Sequence, residues 1–269
     1  MKKDIKFITR ADDAGSSHAA NFAIKNVVTK GGFIKNVSVM ACCKYVDEAA
    51  ELLKDVKGIE FGLHGTLNSE WDKVKWGPVS SLPGDCGLLD ENGCFLANPR
   101  EFLRTKPDIS LILKEYGAQL DRAARAGFNI TYFDSHMMPE MAIDGLSEAA
   151  GEWCVQKGLI DHAYYYELPP GLLDPKISIL KKLRDLKPGQ YFFLTHPALY
   201  GEEMLAAGNS AESGERVAKG RSGEAAMFSR KITTRIMSFY GITPIRYDQA
   251  IPGKRKSPED LRRILGVKL

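Results

Sequence analysis

A chain of 269 residues, 44% apolar and 26% charged, is long enough to bury a sizeable core and is neither a disordered segment nor a disulfide mini-protein. Lys and Arg number 37 against 34 Asp and Glu, so the formal charge is only +3, and its dispersal along the chain excludes an electrostatic footprint for nucleic acid. Five cysteines, Cys42, Cys43, Cys86, Cys94 and Cys154, form no CxxC pair and cannot all pair internally. Reduced thiols in a cytoplasmic protein are the expectation. The first apolar run, at Ile5, is too short for a signal segment, and no stretch approaches a membrane span.

Short β-like runs alternate with stretches of helical period. Ile5–Thr9 reads as the first strand. Ala20, Ile24, Val27 and Val28 follow at helical spacing behind Ser16-Ser17, and Gly31-Gly32 ends that helix. Val37–Ala41 is the second strand, Tyr45–Val56 its helix and Ile59–Leu63 the third strand. The segment 65–107 breaks the rhythm with prolines, glycines, Trp71 and Trp76, and reads as a substrate-covering insertion. Alternation resumes with helix Ile109–Ala126, strand Ile130–Phe133, helix Leu146–Lys157 and strand His162–Tyr166. Helix Pro175–Asp185, strand Tyr191–Leu194, helix Gly223–Phe239, strand Thr243–Arg246 and helix Pro258–Leu265 complete the chain. The expected fold is α/β: a single domain over residues 1–269, a distorted TIM-like (β/α) barrel of seven or eight strands with a long loop insertion after strand three. A Rossmann sheet fits less well, because the first strand-to-helix turn, Arg10-Ala11-Asp12-Asp13-Ala14-Gly15, lacks GxGxxG and its carboxylates would repel a pyrophosphate.

In such a barrel the chemistry sits where strands end at the C-terminal rim. Asp12 and Asp13 follow strand one, His64 follows strand three, Asp134 and His136 follow Tyr132-Phe133, and His196 follows Phe192-Phe193-Leu194-Thr195. Three of the five histidines therefore fall at one end of three strands. A carboxylate and two neutral imidazoles offer three ligands to a divalent metal and leave positions open for water and substrate, and the second carboxylate of an Asp-Asp pair can take a proton nearby. The plainer alternative for either aspartate is an N-cap. His18, in a first helical turn, and His162, beside Asp161, read as scaffold. Trp71 suits either a stacking face for a sugar or a packed loop anchor.

The segments Arg10-Ala11-Asp12-Asp13-Ala14-Gly15 with Asn21 and Ile24, then Gly62-Leu63-His64, Phe133-Asp134-Ser135-His136 and Thr195-His196-Pro197, resemble in order and spacing the motifs of the YdjC-like carbohydrate deacetylases, the group that includes chitooligosaccharide deacetylases. The resemblance implies a distorted (β/α) barrel that removes acetyl groups from N-acetylated sugars with one divalent metal ion, Mg2+ or Zn2+. It implies Asp13, His64 and His136 as ligands, Asp12 as general base, and His196 as the acid for the departing amine or a stabiliser of the oxyanion. Asp134 and Trp71 are assigned to the substrate. The chain departs from the resemblance after His136, where Met137-Met138 replaces a further histidine, and after His64, where Gly65-Thr66 follows. The expected partner is a small acetylated sugar, with no nucleic acid and no membrane; a homodimer is left open. The rival readings are a sugar isomerase or phosphohydrolase on the same cluster, or a non-catalytic carbohydrate-binding protein. An isomerase would bring more carboxylates and a phosphohydrolase a basic clamp, and neither is evident in the sequence.

Overall fold

The computed structural model describes residues 3–174 and 176–267. Its spine is β1 (Ile5–Ala14), buried along nearly its whole length even though it carries Arg10, Asp12 and Asp13. Along one edge β1 pairs with β6 (Gly189–Thr195). Its other edge is shared, with β7 (Ile242–Ile245) against Ile5–Ile8 and β2 (Asn36–Val39) further along. From β2 the sheet continues through β3 (Glu60–Gly65) and β4 (Ile130–Ser135) to β5 (Ile160–Asp161), giving the order β5-β4-β3-β2-β1-β6. Every pairing is parallel, so all strand C-termini face one rim. The Phe192 N–H donates to Glu167 O at 2.7 Å and joins the segment after β5 to β6, drawing the curled sheet into the expected distorted barrel, here of seven strands among the described residues.

Alternation along β1 feeds two cores. Phe7 belongs to the cluster between sheet and helices, whereas Ile8 faces an inner cluster with Tyr132, Phe192, Ile245 and Tyr247. Gly62 on β3 permits a close approach in that interior: a Cβ there would lie 2.0 Å from the Tyr132 ring.

Around the sheet lie α1 (His18–Asn26), α2 (Val46–Leu53), α3 (Phe102–Thr105), α4 (Ile109–Ala126), α5 (Leu146–Lys157), α6 (Ile179–Asp185), α7 (Glu202–Ala206), α8 (Gly214–Phe228), α9 (Lys231–Phe239) and α10 (Pro258–Leu265). Ser17 caps α1 by accepting from Ala20 N–H at 3.0 Å, and Gly127 ends α4 at φ 110°.

Three elements differ from the sequence expectation. The Tyr164-Tyr165-Tyr166 run has strand-like composition, but β5 is only Ile160–Asp161, and Asp161 then caps a 3₁₀ turn at His162–Tyr164 by accepting from Ala163 N–H at 2.8 Å. The helix expected over Gly223–Phe239 is two helices, because Arg230 is extended and Ser229 and Thr233 turn their hydroxyls onto the carbonyls of Ala225 and Met227. The helix expected from Pro175 runs from Ile179; Pro175 itself lies outside the described residues.

The segment after β3 is a structured loop. Ser69 N–H donates to Leu96 O, Phe95 N–H to Trp76 O and Leu96 N–H to Leu88 O. The buried Glu115 carboxylate of α4 accepts from Val79 N–H, Ser80 N–H and the Ser80 hydroxyl, fastening the loop to the barrel. A second clip joins it to the turn before α8, with Asp72 N–H on Gly208 O and Asn209 Nδ2 donating to Glu70 O.

Candidate active site

The pairing of β1 with β2 shifts register between Ala11 and Ala14, and Asp13 takes φ 70°. This irregularity turns the two adjacent carboxylates in different directions. Gly15 follows at φ 97°, with its N–H on Asn21 Oδ1 at 2.7 Å. Asn21 in turn donates to Tyr45 O and Glu48, so the turn is braced from α1 and α2. Asp12 points into the barrel, where Arg10 grips both its oxygens: Nε at 2.6 Å and Nη2 at 2.8 Å. Asp13 points to the rim and accepts from Arg221 Nη1 of α8 at 2.7 Å through Oδ2.

Asp13 Oδ1 is buried and has no hydrogen-bond partner. It lies 3.6 Å from His64 Nε2 and 3.8 Å from His136 Nδ1, and the two nitrogens are 3.2 Å apart. The outer ring nitrogens are each taken by a carboxylate: His64 Nδ1–H donates to Asp134 Oδ2 at 2.5 Å, and His136 Nε2–H to Glu70 Oε2 at 3.0 Å. Those bonds fix the tautomers and leave both inner nitrogens with lone pairs facing Asp13. Ligand bonds of about 2.1 Å at angles of 90–109° separate ligand atoms by about 3.0–3.4 Å, so the observed spacings fit three donors around one cation with little adjustment. The residues fit such a group in charge as well, since among the described residues the carboxylates Asp12, Asp13 and Asp134 pair with two guanidinium groups, Arg10 and Arg221, and Glu70 adds a further negative charge. A second grouping, Asp12, His64 and Asp134, is bridged by the Arg10 guanidinium, which already supplies its positive charge.

Electrostatics follows from this layout. Burial pushes the Asp13 carboxyl up, but Arg221 and the three histidines His196, His136 and His64 outweigh it and hold it well below the usual carboxylate range. Asp134 is likewise pushed up by burial and brought down further by Arg10 and His64. For His136 burial favours the neutral ring, yet Glu70 and Asp13 raise its pKa above the ordinary value.

His196 stands at the end of β6 with its backbone N–H on Glu224 Oε2 at 2.6 Å. Its side chain is 37% exposed, the most open of the group, and its Nε2 lies 3.9 Å from Asp12 Oδ2. Thus Asp12, Asp13, His64, His136 and His196 line one open cleft of about 460 Å3, together with Trp71 and Arg221. Arg221 carries its guanidinium 5.8 Å from the centre of the Trp71 ring, while Trp71 also packs against the core. Asp134 is the exception. It was expected on the substrate, but it lies behind His64 with Oδ1 accepting from Ser38 Oγ at 2.6 Å and Oδ2 taken by His64 and Arg10. Both oxygens are committed, and its place is that of a support for the His64 ring. The remaining histidines lie apart from the cleft: His18 pairs with Glu48 at the surface, and buried His162 meets the Tyr247 hydroxyl at 2.7 Å.

Glu70 and Arg221 escaped sequence reasoning. Glu70 sits in the irregular loop directly before Trp71, and Arg221 in the middle of a helix far along the chain, so neither follows a strand run.

Parallel strands that present a carboxylate and two carboxylate-backed imidazoles at one rim define an α/β-barrel protein with a candidate divalent-metal centre. The sequence profile of the YdjC-like protein family matches residues 6–160, and the chain belongs to that family. A carbohydrate deacetylase of Thermoanaerobacter pseudethanolicus is 28% identical over 218 residues, 74% of this chain and 83% of the relative. A carbohydrate deacetylase of Listeria monocytogenes is 31% identical over 134 residues, 49% of this chain and 51% of the relative, so that match spans about half of the Listeria protein. Among solved structures, an Enterococcus faecalis protein described in connection with cellobiose-phosphate cleavage superposes with a TM-score of 0.68 at 18% identity, over 91% of this chain and 98% of its own. A CE4 esterase of Streptococcus mutans gives 0.50 at 13% identity, over 91% and 86%. These two likenesses concern the fold. No helix among the described residues is long and apolar enough to cross a membrane.

Proposed function

We propose that this protein hydrolyses the acetamide of a small N-acetylated sugar with the help of one divalent metal ion. The observation that carries the reading is the partnerless Asp13 Oδ1 facing His64 Nε2 and His136 Nδ1, with Asp12 and His196 on the same cleft. The carbohydrate deacetylases among its relatives supply the substrate class.

Asp13, His64 and His136 would hold the cation, which when bound supplies Lewis acidity toward a carbonyl oxygen and brings the pKa of a water from 15.7 toward about 7. Asp12 takes the proton of the attacking water; the bidentate hold of Arg10 fixes where that carboxylate points. His196, within reach of Asp12 and open to the cleft, gives a proton to the departing nitrogen. Glu70 and Asp134 keep the two imidazoles in the tautomer and orientation that present their lone pairs. Arg221 holds the second oxygen of Asp13 and thereby directs the first inward. Trp71 supplies an apolar face at the cleft for the sugar ring.

Two imidazoles and a carboxylate suit zinc, and the oxygen ligands and surplus negative charge also admit magnesium. The free state of the cysteines supports a reducing, cytoplasmic setting, and the chain reads as one domain carrying an insertion. The test is acetate release from N-acetylated mono- and disaccharides by chelator-treated protein, with and without zinc or magnesium. Metal-dependent release from any of them is the expected result; no release from all of them with either ion sinks the proposal.

A further inference from the structure

Beside the open cleft lies a second cavity of about 260 Å3, and the two share Asp13, Trp71 and Arg221 as a common wall. The cavity therefore adjoins the carboxylate that faces the cleft. Its walls are Met40, Tyr45, Val74, Trp76 and Met204 together with Trp71. Several polar groups at its edge are already engaged, while Ser16 and Tyr45 add hydroxyls to the lining. Ser17 Oγ accepts from Ala20 N–H, Glu203 Oε2 accepts from Ala19 N–H, Trp76 Nε1 donates to Asn68 O, and Arg221 Nη1 is on Asp13. Much of the wall is apolar, so sugar hydroxyls entering there would lose water against Met40, Val74, Trp76 and Met204, which disfavours a second sugar site. An apolar chain meets no such cost. The volume is far more than an acetyl methyl fills.

We propose that this cavity is an acyl subsite, and that the protein accepts N-acyl sugars with linear chains of four to six carbons as well as acetyl. The inference rests on reading the neighbouring centre as an N-deacylase. The reaction is the same hydrolysis: the amide C–N bond breaks, the water oxygen bonds to the acyl carbon, one water proton goes to the nitrogen, and a carboxylic acid and an amino sugar leave with no change of oxidation state. Each added methylene buried in the cavity favours the bound state by about fourfold, so two of them favour butyryl over acetyl by about tenfold or more.

The experiment compares kcat/KM of the metal-loaded protein on N-acetyl, N-butyryl and N-hexanoyl glucosamine, repeated with Val74→Phe and, as a second filling variant on another element, Ala206→Leu. The expected result is a butyryl-to-acetyl ratio of at least about ten in the wild type, reduced at least fivefold by either variant. Hydrolysis of acetyl with a butyryl-to-acetyl ratio below about ten in the wild type overturns the acyl subsite and leaves the deacetylase reading standing. So does an equal loss on all three substrates in both variants. Release from none of the three by the wild type overturns the deacylase reading, and this inference with it.

Discussion

Replacing Glu70 by Gln removes one negative charge while keeping an oxygen that can accept from His136 Nε2 at the same place. The contact is 3.0 Å long and both side chains are nearly enclosed, 8% and 10% exposed, so solvent screens it little. Asn209 holds the Glu70 backbone carbonyl, and Asp72 N–H holds the loop to Gly208 O, so the exchange leaves the loop path intact. Loss of a carboxylate behind a ligating imidazole costs about 10–100-fold in metal affinity, or about 1.4–2.7 kcal/mol. The size of that loss depends on pH, because the charge that would favour the metal also raises the His136 pKa and so favours a competing proton. Above the raised pKa the ring is neutral in both proteins, and the wild type binds metal more tightly by the full factor. As pH falls through the raised pKa, protons claim the wild-type ring first and its advantage narrows. Calorimetric zinc titrations of wild type and Glu70→Gln at pH 8 and pH 6 measure both effects. Equal affinities within twofold at pH 8, or a gap that widens toward pH 6, would refute the argument.

Asp12→Asn keeps the hydrogen-bonding shape beside Arg10 but cannot take a proton; turnover should fall about 10²–10⁴-fold while metal affinity measured by calorimetry stays within about threefold. Asp134→Asn removes the negative charge behind the His64 ring. Because the folded pKa of Asp134 is depressed, the stability it contributes is present above the unfolded value near 4 and is lost as pH falls toward the folded one; urea midpoints of metal-free wild type and variant should therefore differ at pH 7 and converge below about pH 4. A constant gap down to pH 2.5 would contradict that sign. Gly62→Ala places a methyl 2.0 Å from the Tyr132 ring and should cost about 2–3 kcal/mol in urea unfolding; a loss under 0.5 kcal/mol would show that the interior yields there.

The site was legible in sequence to the extent that chemistry follows strand ends. In sequence β1, β3, β4 and β6 are short apolar runs each followed by a polar residue; in the structure β1, β3 and β4 extend through Asp13, His64 and Asp134, and parallel pairing brings those ends to one rim. Register was not legible, and register decides Asp134: it sits opposite His64 on the neighbouring strand, so the two side chains share a face and bond to each other. Glu70 and Arg221 reach the site through a loop clip and a helix packed against the rim, long-range contacts that leave no periodic trace. Tyr164-Tyr165-Tyr166 looked like a strand because aromatic residues favour sheets, but the Asp161 cap diverts the backbone into a 3₁₀ turn.

The central claim is that Asp13, His64 and His136 hold a metal needed for deacetylation. Its most direct test is acetate release by chelator-stripped protein titrated with zinc or magnesium, run beside Asp13→Ala. The expected result is activity that rises to a plateau at one equivalent of metal per chain and is absent from the variant at every metal concentration. Undiminished acetate release by the stripped wild type, or by Asp13→Ala, would contradict it.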